Sequence, residues 1–297
     1  LVPQRVWNNM TQYLLAAIPL FIFMASMLEK SGVIEEVFDV AYKWLGRIPG
    51  GLAVATVVAS TVLAAMVGVI GAAVVTMALV ALPSMLRRGY SPVLAVGTVM
   101  AGGTLGGLIP PSVLAIVYGL VANQSVGELY LGSVFPGLVL SGLYILFSVG
   151  YALLNPKAAP RLSPEETPTW SERWRALRSI WSPLVLIFLV LGTIFLGLAA
   201  PTEAAAIGAF GAMVVAAIHR RLSWTILRLA LEQTAKATAM VMWIVFGANA
   251  FVGFYIAQGG DRYVSELLLG TGLSPWGILL LMQGILIVLG MFLDWVG

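Results

Sequence analysis

Gly102-Gly103-Thr104-Leu105-Gly106-Gly107-Leu108-Ile109-Pro110-Pro111-Ser112 lies inside a hydrophobic run that covers residues 93–122. Two adjacent prolines cannot sit in an unbroken helix, because each lacks an N–H and its ring clashes with the preceding turn. Four glycines just before them loosen the same backbone. The run is therefore expected to be an interrupted span. In hydrocarbon, each carbonyl or amide freed by the interruption costs about several kcal/mol. Such a break survives only where protein, water, ions or substrate satisfy those groups, which makes it a candidate binding site.

The composition around it sets the class. The chain has 297 residues, 60% hydrophobic and 10% charged, with a mean hydropathy of +0.97. Apolar stretches of the roughly 20 residues needed to cross a bilayer recur from end to end, the pattern of an all-α polytopic membrane protein. A formal charge of +3 is too small to suggest nucleic acid. With no cysteine and one histidine, His219, disulfides, thiolate chemistry and a multi-histidine metal or haem site are excluded. Nothing at the N-terminus reads as a signal peptide. The chain opens without Met and stops inside an apolar run, so it is expected to be a fragment at both ends.

Upstream of the break, residues 51–82 form an uncharged apolar run, too long for one comfortable crossing and too short for two plus a loop. Val67-Gly68-Val69-Ile70-Gly71-Ala72 lies near its middle, with Ser60, Thr61 and Thr76 among its hydroxyls. The expected form is a re-entrant helical hairpin with those glycines at the tip; the alternative is one long tilted helix. Residues 10–28 read as a first span, with Pro19 as a kink. In residues 29–50, Val33, Ile34, Val37, Phe38, Ala41, Trp44 and Leu45 recur at helical spacing between charged residues. That suits either an interfacial helix or a solvated connector packed on a neighbour.

Downstream, residues 131–153 read as a span and residues 155–180 as a cytoplasmic linker with a short amphipathic helix at residues 170–180. Ser163-Pro164-Glu165-Glu166 resembles a helix start. Spans follow at residues 181–199, 204–218 and 235–257, and a further apolar run begins at residue 276. Arg87 and Arg88, the linker, and His219-Arg220-Arg221 with Arg228 place three basic loops on the cytoplasmic side.

Two stretches share an order of span, amphipathic connector, glycine and long apolar run, and seventeen positions separate Gly51 from Gly68 and Gly277 from Asp294. The first unit starts outside and the second inside, the inverted-repeat arrangement of many secondary transporters. The expected organisation is a first repeat over 1–153 (hairpin 51–82, broken helix 93–122, span 131–153), a linker over 154–180, and a second half over 181–297 truncated in its second hairpin.

Asp294 is the acid lying deep in an apolar run, and an intramembrane carboxylate is a functional candidate by default; a turn near water is the competing reading. Glu203 after Pro201-Thr202 suits a helix cap, with Thr202 as N-cap. His219 reads as part of the basic belt, Lys236 as a snorkelling cation and Asn249 as a bond across helices. The glycines before Pro110 lack the Lys-Ser/Thr of a phosphate loop. Their plausible chemistry is backbone coordination, with carbonyls as hard donors for Na+ and the hydroxyls of Thr104 and Ser112 beside them. An intramembrane enzyme is disfavoured, because no Ser/His, metalloprotease or paired-aspartate motif is legible in the sequence.

The block from Gly102 to Ser112 resembles the large membrane subunit of tripartite ATP-independent periplasmic (TRAP) transporters. Tyr118-Gly119, Ser125-Val126-Gly127-Glu128-Leu129, Ala17-Ile18-Pro19-Leu20, Arg87-Arg88-Gly89-Tyr90, Pro201-Thr202-Glu203-Ala204 and Gly290-Met291-Phe292-Leu293-Asp294 support the likeness. The resemblance implies a Na+-coupled symporter of the bacterial inner membrane. It would import organic acids from a periplasmic binding protein, pair with a small four-helix subunit and work by an elevator motion, with no cofactor beyond the coupling ion. On that likeness Val67, Gly68, Gly71, Gly103, Thr104 and Pro110 are the expected ion-binding residues. Ala72, Thr76, Ser112 and Asp294 are the expected substrate-binding residues. Many members have a serine-rich first tip, which this chain lacks, leaving backbone carbonyls as the expected ligands there. A stand-alone dicarboxylate permease and a channel are the alternatives.

Overall fold

The computed structural model describes Trp7 and residues 10–68, 70–161 and 168–293. Among these residues all regular structure is helical. A 3-10 turn at Tyr13–Ala16 leads into α1 (Ala17–Lys30), followed by α2 (Val33–Leu45), α3 (Gly51–Val67) and α4 (Ile70–Arg87). Then come α5 (Pro92–Leu108), α6 (Val113–Ala122), α7 (Val126–Leu154), α8 (Trp170–Ser179) and α9 (Trp181–Phe195). The chain goes on through α10 (Pro201–Ile218), α11 (Trp224–Ala257), α12 (Gly260–Gly270) and α13 (Pro275–Phe292).

Six of the described helical stretches are long and apolar enough to cross a membrane, or eight if the bent pairs α5/α6 and α8/α9 each count as one span. This is a multi-pass membrane protein. The chain divides into one unit of Tyr13–Lys236 and another of Leu1–Gln12 with Ala237–Gly297.

The first unit is built on two packing themes. α1 is buried along most of its length, including Phe21, Met24 and Leu28, and packs on α10. The buried face of α10 is a row of small residues, Ala204, Ala205, Gly208, Ala209, Ala212 and Ala216, which lets two helix backbones approach closely where dispersion supplies the attraction. A Cβ on Gly208 would lie 2.6 Å from the Met24 sulfur. The second theme is the cluster of α3, α4 and α5, with α7 laid against α3 and α5.

The apolar run at residues 51–82 is broken at Gly68, which ends α3 in the left-handed conformation with φ of 61°. The far ends of α3 and α4 meet: Leu52 N–H donates to the Tyr90 hydroxyl at 3.2 Å, and Thr56 Oγ1 lies 3.6 Å from Met85 Sδ. The two helices are thus a hairpin, and the single long helix is ruled out. α4 runs on to Arg87, five residues past the expected end, because buried Met85 anchors its last turns while Pro83 sits on the exposed side. Burial pushes the Tyr90 phenol above its ordinary pKa, and the bond from Leu52 pulls it the other way.

The periodicity of residues 33–45 is realised in α2, whose Val33, Ile34, Val37, Phe38 and Ala41 are buried and pack toward α3. α7 starts at Val126, capped by the Ser125 hydroxyl, rather than at residue 131. α8 begins at a capping box in which the Thr169 hydroxyl accepts from Glu172 N–H and the Glu172 carboxylate accepts from Thr169 N–H. The expected start at Ser163-Pro164-Glu165-Glu166 lies outside the described residues. In α10 the N-cap is Ala200, not Thr202. Pro201 takes the first helical position, and the Glu203 carboxylate reaches back to accept from Ala200 N–H at 2.9 Å.

α11 begins at Trp224, eleven residues before the expected start, because its charged first turns are stabilised by the Arg228–Glu232 pair one turn apart at 2.8 Å. Asn249 donates to Val245 O within α11 itself, at 2.8 Å, rather than across to another helix. No residue of α12 or α13 is buried. α13 ends at Phe292, and Asp294 lies outside the described residues.

Candidate functional site

The interruption at the two prolines is four residues long. α5 ends at Leu108 and α6 starts at Val113, with a 40° bend between them and a cis bond joining Pro110 to Pro111. The glycines belong to the last turns of α5, so they do not unwind it as expected. They serve instead as places of close approach. A Cβ on Gly102 would collide with the Ser60 hydroxyl of α3, one on Gly103 with the Val74 side chain of α4, and one on Gly107 would stand 2.8 Å from Ile70. The last turns of α5 are thereby pressed into the groove between the hairpin arms.

That packing carries the break to the turn of the hairpin. Val113 N–H donates to Gly68 O at 3.4 Å. A Cβ on Gly68 would strike the Pro111 carbonyl oxygen, and the positive φ there already favours glycine. Four helix ends converge here. α3 and α5 present their C-terminal ends, where unpaired carbonyls and the negative pole of the dipole suit a cation. α4 and α6 present N-terminal ends, where free N–H groups suit a carboxylate or another anion.

Two hydroxyls hold the break. Ser112, buried, donates from Oγ to Gly107 O at 2.8 Å, closing the gap between the end of α5 and the start of α6. Tyr130 of α7, fully buried, donates to Ser112 O at 3.2 Å. Tyr130 escaped the sequence reading. The one signal was a tyrosine near the start of an apolar span, and its target lies eighteen positions away in the break between two other helices.

The structure brings Val67, Gly68, Pro110 and Ser112 together. Val67 is buried in the last turn of α3, and Pro110 is buried within the break. Gly71 is exposed, and a Cβ there would meet nothing within 4 Å. Ala72 is half-buried, its carbonyl accepting from buried Thr76 at 2.9 Å. Gly103 packs on Val74. Thr104 is exposed; its hydroxyl donates to Ala101 O at 2.7 Å and lies 3.4 Å from the Tyr144 hydroxyl, so its partners are on α5 and α7. A groove of about 560 Å³ on that side, lined by Val93, Leu94, Gly97, Leu143, Phe147 and Tyr151 among others, is almost wholly apolar and includes none of the break residues.

His219 does more than belong to a basic belt. Its Nε2 is 2.9 Å from the Ser182 hydroxyl and its Nδ1 is 3.3 Å from a Glu36 carboxylate oxygen. Among the described residues no group of three or more His, Cys, Asp or Glu side chains could hold a metal ion.

Comparison with known proteins adds to this geometry. The family described as the DctM component of the tripartite ATP-independent periplasmic transporter matches residues 1–297. A C4-dicarboxylate TRAP transporter large permease protein of Pseudomonas aeruginosa is 33% identical over 291 residues, 98% of this chain and 67% of its own length. An ectoine/5-hydroxyectoine TRAP transporter large permease protein of Ruegeria pomeroyi is 30% identical, over 94% of this chain and 64% of that one. A sialic acid TRAP transporter large permease protein of Vibrio cholerae is 27% identical, over 98% of this chain and 67% of that one.

Proposed function

This chain belongs to the DctM family of TRAP transporter large permease components, and from that premise we propose that it imports an organic acid across the bacterial inner membrane, driven by Na+. It is a transport subunit and not an enzyme. The substrate is handed over by a periplasmic binding protein, and a small four-helix membrane subunit completes the assembly. The substrate class follows the relatives, whose names give C4-dicarboxylates, ectoines and sialic acid.

The observation that carries the reading is the seating of the Gly68 turn on the Pro110-Pro111 break. Carbonyls of Val67, Gly68 and Pro110 form the sodium side, and Gly71, Gly103 and Thr104 are further ion-binding candidates on the hairpin and α5. The half-helix N-termini around Ala72, Thr76 and Ser112 form the substrate side, and Asp294 is the substrate-binding candidate of the second half. The first repeat is 1–153, the linker 154–180 and the second half 181–297. The two repeats stand inverted, the first with a re-entrant hairpin and a broken helix and the second reaching into its hairpin, and these elements move as an elevator against the rest.

The test is uptake of labelled organic acids into proteoliposomes that hold the full-length permease, its small partner and its binding protein. Uptake is expected to require both the binding protein and an inward Na+ gradient. Gly68→Ala, which places a methyl against Pro111 O at a left-handed position, is expected to lower uptake by about ten-fold or more at unchanged protein level. Uptake without the binding protein would make the chain a stand-alone permease, and uptake indifferent to Na+ would remove the sodium site.

A further inference from the structure

We infer that the junction of α2 and α8 binds the phosphate of an anionic phospholipid through Arg173. The Arg173 side chain is only 7% exposed, and its Nε and Nη2 are enclosed without a hydrogen-bond partner. An arginine cannot escape burial by losing its proton. A buried cation without an anion is costly, so the site is incomplete as the described residues build it. The neighbouring acid is unavailable, since the Glu172 carboxylate is committed to the backbone and hydroxyl of Thr169 at 2.7 and 2.9 Å.

The arginine is held in place rather than free to swing outward. Trp44 of α2 packs edge-on against both Trp170 and Trp174, with ring centroids 6.1 and 5.7 Å apart, and its indole N–H donates to Arg173 O at 3.3 Å. The guanidinium lies over the Trp170 ring, 5.3 Å from its centre. With Nε and Nη2 enclosed, the remaining edge of the guanidinium is what meets a phosphate, as a charge-assisted donor.

Lipid is the source that fits the surroundings. α8 bends away from the apolar α9 by 48°. Trp170, Trp174 and Trp181 are 65%, 56% and 69% exposed at this corner. Exposed indoles at the end of an apolar helix mark the headgroup level of a bilayer. Arg175 and Arg178, both exposed on α8, add the positive field that gathers anionic lipids there.

The test is lipid retention by the purified full-length permease, read by native mass spectrometry after partial delipidation. Wild type is offered phosphatidylglycerol, phosphatidylcholine or inorganic phosphate. It is expected to keep phosphatidylglycerol over phosphatidylcholine by about ten-fold, because the choline cation offsets the same phosphate beside Arg173, Arg175 and Arg178. Arg173→Gln should abolish that preference and Arg173→Lys should reduce it. Arg228→Gln, at an exposed cation already paired with Glu232, should leave it intact. A wild type without preference overturns the proposal, as does an Arg173→Gln protein that keeps it. Inorganic phosphate competing as well as phosphatidylglycerol would assign a soluble-anion site and overturn the lipid. If Arg173→Gln does not fold, the wild-type comparison and Arg173→Lys decide.

Discussion

A Cβ on Gly103 would run into the Val74 side chain and stand 3.0 Å from its Cα, whereas one on Gly97, less than two turns earlier in α5, meets nothing within 4 Å. The two glycines are equivalent in helix propensity and opposite in packing. Gly103→Ala is expected to cost about 1–3 kcal/mol through overpacking, since the obstacle includes backbone that cannot swing aside. Gly97→Ala is expected to be neutral or to stabilise by up to about 1 kcal/mol. Thermal unfolding of the purified variants checks both. This contrast also explains why the glycines read as looseness in the sequence. Glycine permits an irregular backbone and equally permits another helix to come close, and only the presence of Val74 or Ser60 opposite selects between the two.

Among the elements, the broken helix depends on a partner outside itself. Tyr130 of α7 donates to Ser112 O from a fully buried site, so Tyr130→Phe removes the bond without leaving a large cavity. The expected cost is about 1–2 kcal/mol. Hydrogen exchange of residues 109–116 should accelerate while that of α2 stays unchanged, and an unchanged break would count against the role of Tyr130. Element positions were legible wherever local physics suffices. The periodicity of α2, the turn at Gly68 and the stop at Pro110-Pro111 all follow from side-chain spacing or backbone sterics. Ends were read less well, because charged or proline-bearing turns look like loops. α4 runs past Pro83 on the anchor of Met85, and α11 starts early on an Arg228–Glu232 pair.

Across the Tyr13–Lys236 unit, the start of the chain is tied to helices nearly two hundred positions away. Arg221 donates from Nη1 to Ser31 O at 2.8 Å and pairs from Nη2 with Glu36 at 3.1 Å, while Gln233 donates to Glu29 at 2.9 Å. The Arg221 side chain is 44% exposed, so its loss should be modest: Arg221→Ala is expected to cost about 1 kcal/mol. The difference in thermal midpoint from wild type should narrow between about 0.05 and about 1 M salt, as the ion pair is screened and the bond to Ser31 O remains. A salt-independent difference would assign the whole effect to that bond. From the sequence alone came the all-helical membrane class, the breaks and the basic loops, because hydropathy, proline sterics and charge placement act within a few residues of where they are written. The tertiary structure alone decided that the Gly68 turn rests on the Pro111 carbonyl, that Tyr130 supports Ser112, and that Arg173 is buried without an anion among the described residues. Those contacts arise from which helix faces pack together, and in a chain this uniformly apolar the hydrophobic pattern does not distinguish one face from another.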